Sequence, residues 1–130
     1  MEFRTIVDIP TPEFTIEPQE KMLFVGSCFA DNIGKRFVDE MFLATVNPLG
    51  VMYNPASILH TIQDAPRVAF LTLGTNHVYI LKETGEIVDN CRKRPARLFH
   101  EEELTVDECA EYLQKAVDIL YSRNKDVQVV

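Results

Sequence analysis

A hydroxyl and a thiol stand side by side at Ser27 and Cys28, within Gly26-Ser27-Cys28-Phe29-Ala30, between the apolar run Met22–Val25 and a segment with helical spacing. That places Ser27 on the turn between a buried strand and a helix N-terminus. In open α/β sheets the ligand crevice lies at the carboxyl ends of the strands, and a helix N-terminus offers N–H groups and positive dipole to a developing anion. A serine so placed is either a nucleophile or an ordinary helix cap. Cys28 carries a parallel choice: a thiolate at a helix N-terminus would change the reaction class, whereas a thiol beside an apolar helix face is expected to be a small buried hydrophobe. The three histidines, His60, His77 and His100, fall on a helix, at the start of a hairpin and beside Glu101–Glu103, and read as packing or surface residues. Arg92, Lys93, Arg94 and Arg97 form the basic cluster of an acidic chain, either a solvated loop or a cleft-facing anion contact. Cys28, Cys91 and Cys109 are an odd number at unrelated spacings, which supports neither a disulfide framework nor a metal site. No cofactor is implied.

The elements that must position these residues follow from patterning. Met22–Val25 and Val68–Thr72 are short, unalternating apolar runs stopped by glycine, as expected of parallel strands covered on both faces. Phe29, Ile33, Phe37 and Met41 recur at every fourth position and read as the inner stripe of a helix, with Asp31, Lys35, Asp39 and Glu40 facing water. Leu43–Val46 reads as a further short strand, and Asn54-Pro55 as the cap and first residue of a helix over Ala56–Gln63. Val78–Lys82 and Glu86–Val88 flank a short loop containing Gly85 and predict an edge hairpin. Thr105 and Glu108 form a capping box ahead of a helix to about Tyr121, with Val106, Cys109, Ala110, Leu113, Ala116, Val117 and Leu120 inward; Val127–Val130 begins a last strand. Strands alternating with helices predict a three-layer α/β/α fold with a mostly parallel sheet, flavodoxin-like and incomplete at the C-terminus. Residues 1–20, with Pro10, Pro12 and Pro18, read as an extended lead-in packed on this body.

Composition narrows the function classes. At 130 residues, 46% hydrophobic and 25% charged, the chain reads as one globular domain. A formal charge of −7 is the wrong sign for binding through phosphate neutralisation, so no nucleic acid partner is expected. No apolar run approaches the roughly 20 residues of a membrane span, and Met1–Pro10 lacks the form of a signal peptide. The expected setting is therefore cytoplasmic, with reduced thiols and no membrane. An unfinished sheet leaves an open edge, which suggests a homo-oligomer.

Several segments together carry a family resemblance: Phe3-Arg4-Thr5, Gly26–Ala30, Asn32-Ile33-Gly34, Asn47-Pro48-x-Gly50-Val51-x-Tyr53-Asn54-Pro55, Thr72-Leu73-Gly74-Thr75 and Asn90-Cys91-x-Lys93-x-Pro95. They resemble the N-terminal portion of the GSCFA family, itself similar to SGNH (GDSL-like) hydrolases. The resemblance implies a serine esterase or acyltransferase acting on a small-molecule or glycan ester. Its nucleophile falls on Ser27 in preference to Cys28, and its oxyanion hole on the Ser27 and Gly50 N–H groups with the Asn76 amide; Asn47 and Asn54 compete with Asn76. Lys93, Asn47 and Gly74 are implied as substrate-binding residues. The catalytic base of such enzymes lies in a late D-x-x-H, which residues 1–130 do not contain, so the chain reads as the N-terminal part of a longer domain, inactive by itself. The short link Asp64-Ala-Pro66 also departs from the family, which carries a longer insertion there. The alternative is a non-catalytic α/β module that holds an anion or a partner at the same helix N-terminus.

Overall fold

A computed structural model describes residues 3, 5–89 and 94–130. Its centre is β1 (Met22–Gly26), buried at every position. A strand with no exposed face must be covered twice. Met22 and Phe24 point to one side, where they meet Ala30, Ile33 and Phe37 of α1 (Cys28–Asp39). Leu23 and Val25 point to the other, toward Ile58 of α2 (Pro55–Thr61) and Ala116 and Leu120 of α3 (Val106–Arg123). The period-2 alternation of a strand therefore builds two cores and the expected three layers. Stacking of Phe24 on Phe70, with ring centroids 4.6 Å apart, fixes the α1 side.

Around β1 the strands β2 (Ala44–Val46), β3 (Val68–Thr72) and β7 (Gln128–Val129) form one sheet, ordered β2-β1-β3-β7 and parallel throughout. The chain leaves β1 through α1 to reach β2 on one side. It then returns through α2, on the opposite face, to β3 on the other side of β1. This reversal makes β1 and β3 a topological switch point, the place where open α/β sheets form their ligand crevice. The register pairs Gly26 with Thr72 at that end.

The structure departs from the sequence-based expectations in several places. Ile33 and Phe37 face the sheet, but Phe29 is 63% exposed and Met41 84%. Steps of four residues advance about 40° beyond a full turn of an α-helix, so a stripe drawn through 29, 33, 37 and 41 drifts off the buried face. The inward set is Ala30, Ile33, Gly34 and Phe37, and Met41 lies past the helix end with φ +67°. In α3, Val106 and Ala110 are likewise exposed, Tyr112 packs inward, and the helix runs to Arg123.

The hairpin is not an edge feature of the main sheet. Strands β4 (His77–Leu81) and β5 (Ile87–Val88) join β6 (Phe99–Glu103) in a separate antiparallel sheet, ordered β5-β4-β6. Its buried face centres on Val78, which packs with Ala56 and Leu104 over the starts of α2 and α3. Toward the end of the lead-in Ile16 reaches the α1 core and the Pro18 carbonyl accepts from Leu43 N–H. Among the described residues no helix is long and apolar enough to cross a membrane.

Candidate active site

The turn after β1 is built by close approach. Gly26 has φ +140°, and a Cβ there would lie 2.0 Å from the Thr72 carbonyl oxygen, so only glycine lets β1 close on β3 at this level. Ser27 then takes extended angles as the N-cap of α1. Its carbonyl accepts from Asp31 N–H, and its Oγ accepts from Phe29 N–H at 3.3 Å.

The cap is joined sideways to the neighbouring strand. Thr72 Oγ1 accepts the Ser27 N–H at 3.0 Å and stands 3.1 Å from Ser27 Oγ. Two hydroxyls, one from each strand of the switch point, therefore meet at the carboxyl end of the sheet. Ser27 is 8% exposed, so its surroundings, not bulk water, set its behaviour. Thr72 was not singled out as a site residue in the sequence. The available signal was that it closes the second buried strand as Ser27 follows the first.

The loop after β2 clasps the same turn. Asn47, buried with φ +40°, accepts the Gly26 N–H through Oδ1 at 2.9 Å and donates through Nδ2 to Asp31 Oδ1 at 3.4 Å. Asparagine tolerates this left-handed backbone better than most residues. Met52 N–H donates to the Gly26 carbonyl, and the Tyr53 carbonyl accepts from both Gly74 and Thr75 N–H. The segment 47–53 thus ties the ends of β1 and β3 together. Asp31 is held below the ordinary carboxylate range, first by its hydrogen bond from Lys35 and also by Asn47.

The other sequence-derived site residues divide. Gly50 sits at φ +100° in this loop, but its N–H donates to the Asn47 carbonyl at 2.8 Å. The Asn76 amide is turned to the Leu104 carbonyl at 2.9 Å, and the Asn76 carbonyl accepts from Leu104 N–H, which pins the start of the small sheet to the α3 entry. The Gly50 N–H thus closes a local turn, and one of the two Asn76 amide hydrogens closes the junction to Leu104. Gly74 packs directly under Tyr53, where a Cβ would meet the ring at 2.8 Å. Lys93 lies outside the described residues, as do Arg92 and Cys91. Of the described basic residues, Arg94 lies over the Phe99 ring and Arg97 gives its carbonyl to Lys82.

Cys28 corrects the expectation of a buried thiol: it is exposed at the first position of α1. The N-cap turn directs Ser27 inward against β3 and leaves the next side chain on the outer surface of the helix. Each histidine is engaged by carboxylates, and none of them is bonded to Ser27. His60 meets Asp89 at 3.1 Å, His100 meets Glu102 at 3.0 Å, and His77 lies between Glu101 and Glu103. Among the described residues no three His, Cys, Asp or Glu side chains converge as a metal site would require.

Beside the clasp lies an open cleft of about 640 Å³, lined in part by Tyr53, Ser57, Thr75, His77, Tyr79 and Glu101. One wall is continuous with the segment that binds Gly26. Exposed Phe29 stands on the first turn of α1, and half-exposed Leu49 and Leu73 on the loops that follow β2 and β3. The arrangement offers a shielded alcohol, the open first turn of a helix, and mixed apolar and polar surface nearby.

The GSCFA family model matches the chain over residues 21–69 and 64–130. The two matched segments overlap over residues 64–69, which include the short Asp64–Pro66 link. No curated protein and no solved structure matches the chain.

Proposed function

Since this chain belongs to the GSCFA family, we propose that it contributes the nucleophile of a serine hydrolase or acyltransferase that acts on esters, including acylated glycans. The observation that carries this reading is the position of Ser27: a shielded hydroxyl at the β1–β3 switch point, capping α1 and bonded to Thr72. A histidine base removes the Ser27 Oγ proton as Oγ bonds to the ester carbonyl carbon, and the carbonyl π pair moves to oxygen. Collapse of that intermediate expels the alcohol, which takes the proton from the imidazolium. Water, or a second alcohol in acyl transfer, then attacks the acyl-serine with the same base and releases it.

The oxyanion is stabilised by the first turn of α1. Its leading N–H groups have no intrahelical acceptors, and the helix dipole favours negative charge there. Cys28 N–H, directly after the nucleophile, is the first such donor, while the Ser27 N–H stays with Thr72 Oγ1. Gly50 takes this role by leaving the Asn47 carbonyl, and Asn76 through the amide hydrogen that the Leu104 carbonyl does not hold. The base is supplied by a D-x-x-H segment, as the family resemblance implies, since none of His60, His77 and His100 bonds to Ser27. The cleft beside Tyr53 receives the alcohol portion. The thiols of Cys28 and Cys109 are free, which suits a reducing, cytoplasmic setting.

Hydrolysis of p-nitrophenyl esters tests the proposal. A chain carrying these 130 residues together with a D-x-x-H segment is expected to turn over, and Ser27→Ala to lower the rate by about 10⁴-fold or more. Cys28→Ala is expected to keep most of the activity, with circular dichroism confirming that both variants fold. Full activity in folded Ser27→Ala would overturn the assignment. Absence of turnover in the parent chain would favour the binding module.

A further inference from the structure

Either hydroxyl can donate across the 3.1 Å Ser27–Thr72 contact, and the two directions differ in which hydrogen they leave over. Thr72 Oγ1 already accepts the Ser27 N–H, and Ser27 Oγ already accepts from Phe29 N–H. A hydroxyl has one hydrogen to give and two lone pairs to receive. If Ser27 donated to Thr72, its proton would be turned away from any base and the Thr72 hydrogen would have no acceptor among its hydrogen bonds in this structure. If Thr72 donates, its own hydrogen is satisfied, and the Ser27 proton is left to point outward.

We propose that Thr72 is a positioning residue for Ser27: its hydroxyl donates to Ser27 Oγ, fixes the side chain and stabilises the negative charge that grows on Oγ as the proton leaves. The proposal rests on Ser27 being the nucleophile. It explains why the β1–β3 junction is so close. A Cβ on Gly26 would lie 2.4 Å from Thr72 Oγ1 as well as 2.0 Å from the Thr72 carbonyl oxygen, so the glycine is what permits the two hydroxyls to meet. Register adds to the argument, since Thr72 is the β3 partner of Gly26, the residue immediately before Ser27. A hydrogen bond to a charged group is stronger than one to a neutral group, so the contact strengthens during attack instead of merely holding the resting state.

The test uses a fluorophosphonate probe on a chain that carries these 130 residues with a D-x-x-H segment, with peptide mass mapping to locate the label. In this reaction Ser27 Oγ bonds to phosphorus, fluoride leaves, and the histidine takes the proton. Thr72→Val, which keeps the side-chain shape without the hydroxyl, is expected to lower the maximal rate of Ser27 labelling about tenfold or more. The probe concentration that gives half the maximal rate is expected to stay unchanged, because the donor acts on the developing alkoxide and not on probe binding. Thr72→Ser restores the hydroxyl and is expected to label within about threefold of wild type. A purely structural role for Thr72, acting by displacement of the site, would move the half-maximal concentration of a folded variant, and Thr72→Ala replaces Thr72→Val if circular dichroism shows the latter unfolded.

Equal maximal rates for wild type and folded Thr72→Val, with the label on Ser27, would overturn the proposal alone. No label on Ser27 in the wild-type chain with its D-x-x-H segment would overturn the nucleophile reading and this proposal with it. Slow labelling at an unchanged half-maximal concentration, rescued by Thr72→Ser, supports both.

Discussion

Gly26→Ala probes the junction on which the site depends. The added methyl would lie 2.0 Å from the Thr72 carbonyl oxygen, on a backbone with φ +140°. Gly85 supplies the matching control, because its φ is +73° and a Cβ there meets nothing within 4 Å. Backbone strain of this kind costs about 1–3 kcal/mol. Forcing a methyl into occupied space costs about another 1–3 kcal/mol, and the lower entropy of the unfolded alanine chain offsets about 0.4–1 kcal/mol. Gly85→Ala is therefore expected to lose about 1 kcal/mol, from strain alone, and Gly26→Ala about 2–5 kcal/mol. At about 4 °C per kcal/mol for a domain of this size, the second variant should melt about 8–20 °C below wild type. Far-UV circular dichroism during heating and in urea measures both. If the Gly26→Ala midpoint fell within about 2 °C of the Gly85→Ala midpoint, the close approach of β1 and β3 would not have the energetic weight assigned to it.

Asn47→Ala removes the acceptor of the Gly26 N–H and places alanine at φ +40°. A loss of about 1–3 kcal/mol is expected, together with faster amide exchange at Gly26 by NMR; unchanged Gly26 protection would show that the clasp is not formed by Asn47. The capping box of α3 gives a pH dependence. Glu108 is held below the ordinary glutamate range, first by the Thr105 backbone N–H and then by the Thr105 hydroxyl. Because the folded value is depressed, the charged carboxylate stabilises the fold fully above the unfolded glutamate range and ceases to do so as pH falls through the folded value. The urea midpoint of wild type should exceed that of Glu108→Ala at neutral pH and the gap should narrow on acidification; a gap that widens toward low pH would reverse the sign.

Much of the architecture was legible because short-range physics decided it. The runs Met22–Val25 and Val68–Thr72 admit no exposed face, and Asn54 and Thr105 cap their helices as their side chains require. Strand β6 was hidden, since Phe99 is its only buried residue and His100–Glu103 show no alternation of apolar and polar types. Its strand state is imposed by pairing with β4, a contact that propensity does not encode. The same distinction divides the site. Ser27 could be placed from its strand-turn-helix setting, whereas the engagement of the Gly50 N–H by Asn47, the turning of Asn76 toward Leu104 and the approach of Thr72 depend on tertiary register. The exposure of Cys28 also depends on a detail of the turn, namely which of two adjacent side chains caps the helix.

The central claim is that Ser27 becomes covalently acylated, and the most direct measurement is the location of the adduct. A chain carrying these residues with a D-x-x-H segment would be treated with p-nitrophenyl acetate, quenched in acid, digested, and sequenced by tandem mass spectrometry across the peptide that holds both Ser27 and Cys28. An acetyl ester is expected on Ser27, absent from Ser27→Ala and present in Cys28→Ala. An acetyl group on Cys28 alone, or steady turnover with no adduct at either position, would contradict it.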